Sequence, residues 1–211
     1  MRSLVEQGEA NADSPRVGDV VFEIGLVLAA HLGLAFLILG AMLWIAFDLL
    51  YPERTARRTD KLARFAGAFV GLVFLQVLAG GLVAGIRAGK AYNTFPLMNG
   101  HLIPPETFAL EPWWRNFFNN MATVQLDHRL LGWLLLAVVA WLWWRVHASG
   151  TAARARIAAH LLFGLLMVQF ALGVVTLLAA VPVGLGVAHQ GVATLVFAAA
   201  LYTAHALRGA A

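Results

Sequence analysis

The chain has 211 residues, 61% of them hydrophobic and 12% charged, whereas an ordinary soluble domain carries about 25% charged residues. That composition excludes a soluble globular domain and points to a bilayer. The absence of cysteine excludes disulfides, thiolate metal sites, iron–sulfur clusters and c-type haem attachment. The net charge of +4 sits mainly in short connectors, so nucleic acid is not needed to explain it.

The first 18 residues are polar, mix acids with bases and lack the apolar core of a signal peptide. Five apolar runs follow, at 24–47, 62–86, 122–144, 157–181 and 184–207, each near the roughly 20 residues that a hydrocarbon core requires. The fold class read from this pattern is all-α, a polytopic transmembrane bundle of five helices. The chain divides into a polar segment 1–18, a first transmembrane helix within 19–50 and a four-helix unit 62–208 with a long loop 88–121.

Arg54, Arg57, Arg58, Lys61 and Arg64 follow the first run, and Arg145, Arg154 and Arg156 follow the third. The positive-inside rule places both connectors and the C-terminus inside, with the N-terminus, the long loop and Pro182 outside. Trp113 and Trp114 at one face, with Trp141, Trp143 and Trp144 at the other, fit the two aromatic belts. Loop 88–121 holds four prolines among seven aromatic residues, which argues for a lid on the outer face with a short interfacial helix near 112–120.

Two short repeats carry the chemistry. Ala30-His31-Leu32-Gly33-Leu34-Ala35 returns as Ala188-His189-Gln190-Gly191-Val192-Ala193, and Gln76-Val77-Leu78-Ala79-Gly80 returns as Gln169-Phe170-Ala171-Leu172-Gly173. Each glutamine helix precedes a histidine helix, bearing His128 and His189 respectively. His31 occupies the same setting with only a short polar segment before it, so the chain reads as starting inside a repeat unit.

His31, His128 and His189 lie at one depth, roughly 8–10 Å from the outer ends of their runs at 1.5 Å per residue. A histidine inside a span is costly without a partner, and three at one level point to ligation. Asp127, adjacent to His128, faces elsewhere on the helix, so the carboxylate or thiolate expected of zinc or non-haem iron is missing. Two imidazoles in a glycine-rich bundle suit a haem with one axial ligand on each side. Arg129 is either a partner for a haem propionate or a snorkelling interfacial arginine.

His101, His147, His160 and His205 read as interfacial polar side chains. Gln76 and Gln169 bond either across helices or to a cofactor edge. Gly67-x-x-x-Gly71 and Gly81-x-x-x-Gly85-x-x-x-Gly89 read as close-packing seams. The small residues one turn after the histidines, such as Gly132, match Gly164 after His160 and are attributed to chance.

The segment Ala84-Gly85-Ile86-Arg87-Ala88-Gly89-Lys90-Ala91-Tyr92-Asn93-Thr94-Phe95-Pro96-Leu97-Met98, followed by Arg115-Asn116-Phe117-Phe118 and Thr123-Val124-Gln125-Leu126-Asp127-His128-Arg129, resembles the haem A synthase family. The resemblance runs over residues 20–208. It implies eight transmembrane helices in two pseudo-symmetric halves, each with a histidine pair, of which this chain resembles the last five helices. His128 and His189 are then the pair of the C-terminal half, and His31 the last histidine of an N-terminal half whose other ligand and loop glutamate lie in no matching segment here. Arg87 and Leu126 depart from the family pattern, which more often has aspartate and phenylalanine at those places.

The implied reaction is oxidation of a methyl group of haem O to the formyl group of haem A, for cytochrome oxidase biogenesis. Haem b is the implied cofactor, with haem O and haem A as substrate and product. The resemblance assigns no catalytic residue in this chain, and the expectation is that the chain alone is half of an active site. The rival reading is a bis-histidine haem b membrane cytochrome, or a haem-binding assembly partner without catalysis. Expected partners are membrane lipid, an N-terminal half or electron donor, and haem O synthase or oxidase assembly factors. The expected location is the bacterial cytoplasmic (inner) membrane, ahead of the mitochondrial inner membrane.

Overall fold

The computed structural model describes residues 17–52 and 60–208. Nearly all of the polar N-terminal segment, together with Arg54, Arg57 and Arg58, lies outside the described residues. Five long helices dominate: α1 (Val17–Leu50), α2 (Asp60–Gly85), α3 (Met121–Ala148), α4 (Ala153–Leu178) and α5 (Val183–Arg208). All five are long and apolar enough to cross a membrane.

Their ends follow from local chemistry. Asn120 caps α3, its side-chain oxygen accepting from the backbone N–H groups of Ala122 and Thr123 at 2.9 and 3.2 Å, which satisfies two donors a helix start leaves open. Helix α4 stops at Leu178, short of the apolar run's end at residue 181, because Ala180 and Val181 adopt left-handed φ of 59° and 58°. Arg87, at φ 58°, likewise turns the chain just after α2.

Helix α2 packs on α3, α3 on α4, α4 on α5, and α5 back on α2, closing a four-membered ring. Helix α1 lies outside this ring, against α2 and α5. The ring order puts α3 and α5 at opposite corners and α2 and α4 at the other two. One end of the bundle carries the loop from Ile86 to Asn120 and the turn between α4 and α5; the other carries the two short connectors.

Packing differs between the ends. The buried core, including Phe69, Val73, Leu142, Leu162 and Phe197, fills the connector half and reaches only to the level of Val77, Leu135, Leu166 and Val196. Beyond it, Leu131, Phe170, Gly173 and Val192 are only partly buried. Packing loosens at the level of His128 and His189 and closes again toward the loop, where Ile86, Ala88 and Val124 form a second buried cluster.

The α1–α2 seam uses glycines. A Cβ on Gly85 would stand 2.5 Å from the Gly25 Cα, and one on Gly81 would stand 3.0 Å from the Ala29 Cα, so the two backbones touch as small residues permit. Gly67 and Gly71 do not share this use. A Cβ on either would meet nothing within 4 Å, which corrects their reading as a packing seam: four-residue spacing marks a stripe but not whether a helix lies against it.

Toward the connector end, α1 is fastened to α5 by the Phe36–Phe197 edge contact at 5.2 Å and by His205 Nε2 to Asp48 Oδ1 at 3.1 Å. His205 is 6% exposed, so it belongs to a helix contact and is not an interfacial side chain. His147 and His160 meet each other, Nε2 to Nε2 at 2.9 Å, while the Trp143 indole donates to His160 Nδ1 at 3.0 Å.

The long loop is built around fully buried Asn116. Its side-chain oxygen accepts from the Leu110 N–H and the Asn120 amide, both at 2.9 Å, and its nitrogen donates to the carbonyls of Leu110 and Trp113, both at 2.8 Å. A single-turn 3-10 helix, Trp113–Arg115, leads into the short helix Asn116–Asn119. Asn116 thus pairs polar groups of the loop that a segment lying over an apolar bundle must satisfy, while Thr107 Oγ1 and Asn119 Oδ1 are buried there without a partner.

Candidate functional site

His128 sits seven residues into α3 and His189 six into α5, roughly 10 Å and 9 Å from the loop-side ends. They therefore share a level. Their helices stand on opposite corners of the ring.

Each histidine is held by the glutamine helix that precedes it. At His128, the Gln76 amide nitrogen lies 3.4 Å from Nε2 and donates to the His128 backbone carbonyl at 3.1 Å. At His189, the Gln169 amide nitrogen lies 3.2 Å from Nε2. A turn further along each glutamine helix, a glycine gives the ring its place: a Cβ on Gly80 would stand 3.2 Å from His128 Cε1, and one on Gly173 would stand 2.8 Å from His189 Cε1.

The two sites are thus the same construction made twice. In both, Nδ1 is buried with no partner in hydrogen-bonding geometry, and so is the glutamine Oε1. An unpaired buried polar atom costs about 1–3 kcal/mol, but the Nδ1 of His205 is left in the same state, so what sets His128 and His189 apart is the glutamine-and-glycine cradle built twice. Two imidazoles at one level on facing helices are a donor set that suits axial ligation of a haem iron. Among the described residues there is no group of three or more His, Asp or Glu side chains able to hold a metal ion.

The other residues singled out by sequence fall elsewhere. His31 is exposed on α1, about half a turn from the buried contact residues Ala29 and Gly33, so the structure does not bring it to the His128/His189 pair. Gly132 proves spatially undemanding, since a Cβ there would lie in ordinary contact, 3.7 Å from the Gln76 amide.

Arg129 gathers the loop. Its Nη2 donates to the carbonyls of Tyr92 and Thr94, both at 2.8 Å, and its Nη1 to those of Pro96 and Leu97 at 3.3 and 3.4 Å. Its Nε remains buried without a partner. One residue after a candidate ligand, this guanidinium ties segment 92–97 to the level of the histidines. Phe95 from that segment lies 6.3 Å from both Trp133 and Phe170 by ring centroids, extending the apolar wall.

Outside the spans, the Tyr92 hydroxyl donates to Glu106 Oε2 at 3.4 Å. Burial, and then the neighbouring Glu106 carboxylate, push the Tyr92 phenol above its ordinary value. With the folded value raised, this contact contributes below the ordinary tyrosine pKa of about 10 and is lost as pH rises through the shifted one. Proteolysis of the loop should accelerate in that alkaline range, and Tyr92→Phe should remove the step. An identical pH profile in the two proteins would refute the assignment.

A four-helix ring flanked by a fifth helix of spanning length, with two histidines each cradled by the helix before its own, defines a multi-pass helical membrane protein. Comparison with known proteins narrows this. Residues 20–201 match the family model COX15-CtaA, cytochrome oxidase assembly protein, and the chain belongs to that family. It is 49% identical over 195 residues to a protein named heme A synthase from Nitrosomonas eutropha, covering 90% of this chain and 55% of the relative. It is 54% identical over 184 residues to the heme A synthase of Nitrosospira multiformis, covering 86% and 52% respectively. The chain spans about half the length of the curated relatives it matches.

Proposed function

We propose that His128 and His189 are the axial ligands of one haem b held within the α2–α5 ring, and that the chain serves a haem A synthase-like oxidation of haem O to haem A. The observation that carries this reading is the duplicated cradle, two part-buried imidazoles each set against a glutamine amide and a glycine. When bound, the haem supplies one-electron chemistry. The chain's own residues ligate, orient and keep the site dry: Gly80 and Gly173 give the rings room, and Arg129 closes loop 92–97 over them. The Arg129 Nε–H is the donor left for a haem propionate. In this reading His31 belongs to a second histidine site on the exposed face of α1, where haem O is processed with a ligand from another segment or chain.

The basic connector end faces the cytoplasm and the loop end faces outward, in a bacterial inner membrane. The rival, an electron-carrying cytochrome without catalysis, draws on the distance of His31 from the cradled pair. Cells that make haem O but no haem A, expressing this chain with or without a separately encoded segment supplying the other ligand of His31, separate the two. Haem A in the extracted pigments supports the synthase reading. Bound low-spin haem with no haem A under either condition overturns it in favour of the cytochrome.

A further inference from the structure

A porphyrin held among helices needs a way in, and most sides of this bundle are shut. The loop end is closed by the buried cluster of Ile86, Ala88 and Val124 and by the bonds gathered on Asn116. At the level of the histidines, Gln76 ties α2 to α3 through the His128 carbonyl, and the fit of His189 against Gln169 and Gly173 joins α4 to α5. Helix α1 covers the seam between α2 and α5 from outside. Among the described residues that leaves one seam, between α3 and α4.

This seam is fastened differently at its two ends. Toward the connectors, the Trp143 indole donates to His160 Nδ1 at 3.0 Å and His147 meets His160 at 2.9 Å. Toward the loop, the helices meet through rings: Phe170 of α4 lies 4.7 Å from Trp133 of α3 and 6.3 Å from Phe95 of the loop, by centroids. Phe95 is held to α3, because Arg129 donates to the carbonyls on either side of it, those of Thr94 and Pro96. Parting this end of the seam therefore separates Phe170 from two rings that stay together. Trp133 is 51% exposed on a helix of spanning length, so the rings border the lipid.

We propose that the loop-side end of the α3–α4 seam is a lateral gate through which the histidine site exchanges a flat porphyrin with the bilayer. Phe170 is its latch against Trp133 and Phe95, and the Trp143–His160–His147 clasp is its hinge. A plate-shaped apolar ligand passes edge-on between two helices that spread at one end, without crossing water. The proposal rests on the bis-histidine haem reading above.

The test measures the rates at which the full chain takes haem b from lipid vesicles and returns it to them. Phe170→Ala should speed uptake and release alike, by about tenfold, the scale on which two aromatic contacts act. The chain has no cysteine, so introduced pairs can be bridged after folding and reopened by reductant. Bridging Trp133→Cys/Phe170→Cys should stop exchange and reduction should restore it, whereas bridging His147→Cys/His160→Cys at the hinge should leave the rate unchanged. A latch that served packing alone predicts faster release in Phe170→Ala with uptake unaltered. That result, or exchange that persists with the 133–170 bridge closed, overturns the gate. Failure of the ligand reading looks different: the wild type would take up no low-spin haem, or would keep it after His128→Ala and His189→Ala.

Discussion

Replacing His128 or His189 by alanine is expected to abolish the low-spin haem spectrum of the purified protein while leaving its helix content unchanged. In the proposed bis-histidine site each variant removes a ligand, and because each ring stands in a recess formed by other residues, it leaves the scaffold standing. Loss of a mere supporting hydrogen bond costs a metal site about 10–100-fold in affinity; loss of the ligand itself should exceed the lower bound, so haem retained per chain should fall more than about tenfold. Because both side chains serve one site, the double variant should lose little more than either single one. His31→Ala is the contrast, since His31 is exposed on α1 and its loss should leave this spectrum intact. A spectrum unchanged in both His128→Ala and His189→Ala would remove the ligand assignment.

The glycine cradles yield the second large effect, and with it an ordering. A Cβ on Gly173 would stand 2.8 Å from His189 Cε1, one on Gly80 3.2 Å from His128 Cε1, and one on Gly164 would meet nothing within 4 Å. Glycine to alanine in a helix is by itself worth about 1 kcal/mol of stabilisation, so Gly164→Ala should hold or raise the melting temperature. Gly173→Ala must displace the imidazole, since contacts that short are essentially absent from real structures. Haem content should therefore fall most in Gly173→Ala, less in Gly80→Ala and not at all in Gly164→Ala. Equal haem content in all three would mean that the glycines serve the backbone and not the rings.

These glycines show where sequence reading stops. The Gln-x-x-x-Gly repeat was visible in the chain, and so was the succession of glutamine helix and histidine helix. Its purpose was not, because the partner of Gly173 lies on the next helix, 16 residues away, and the distance between the two depends on how α4 and α5 cross. Gly67-x-x-x-Gly71 shows the converse. It has the same spacing as Gly81-x-x-x-Gly85, but only the latter meets another backbone.

Long-range polar pairs were hidden for a related reason. His205 reads as an end-of-helix histidine until Asp48, 157 residues earlier, is found 3.1 Å away. Arg129 reads as a lone cation near the outer level, and only the structure shows four loop carbonyls on its terminal nitrogens. Asn116 has no periodicity to betray it, although the whole loop bonds to it.

Composition and spacing along the chain already show five apolar helices of membrane-spanning length and place His128 and His189 alike within α3 and α5. Those properties depend on composition and on rise per residue, both local. Tertiary contacts alone reveal that the helices close into a ring with α1 outside it, that α3 and α5 with their histidines stand at opposite corners, and that Gln76, Gly80, Gln169 and Gly173 form the recesses. Each depends on which helix faces meet. In an apolar chain nearly every face is hydrophobic enough to be a contact, so the choice rests on shape and on the few polar atoms that must find partners.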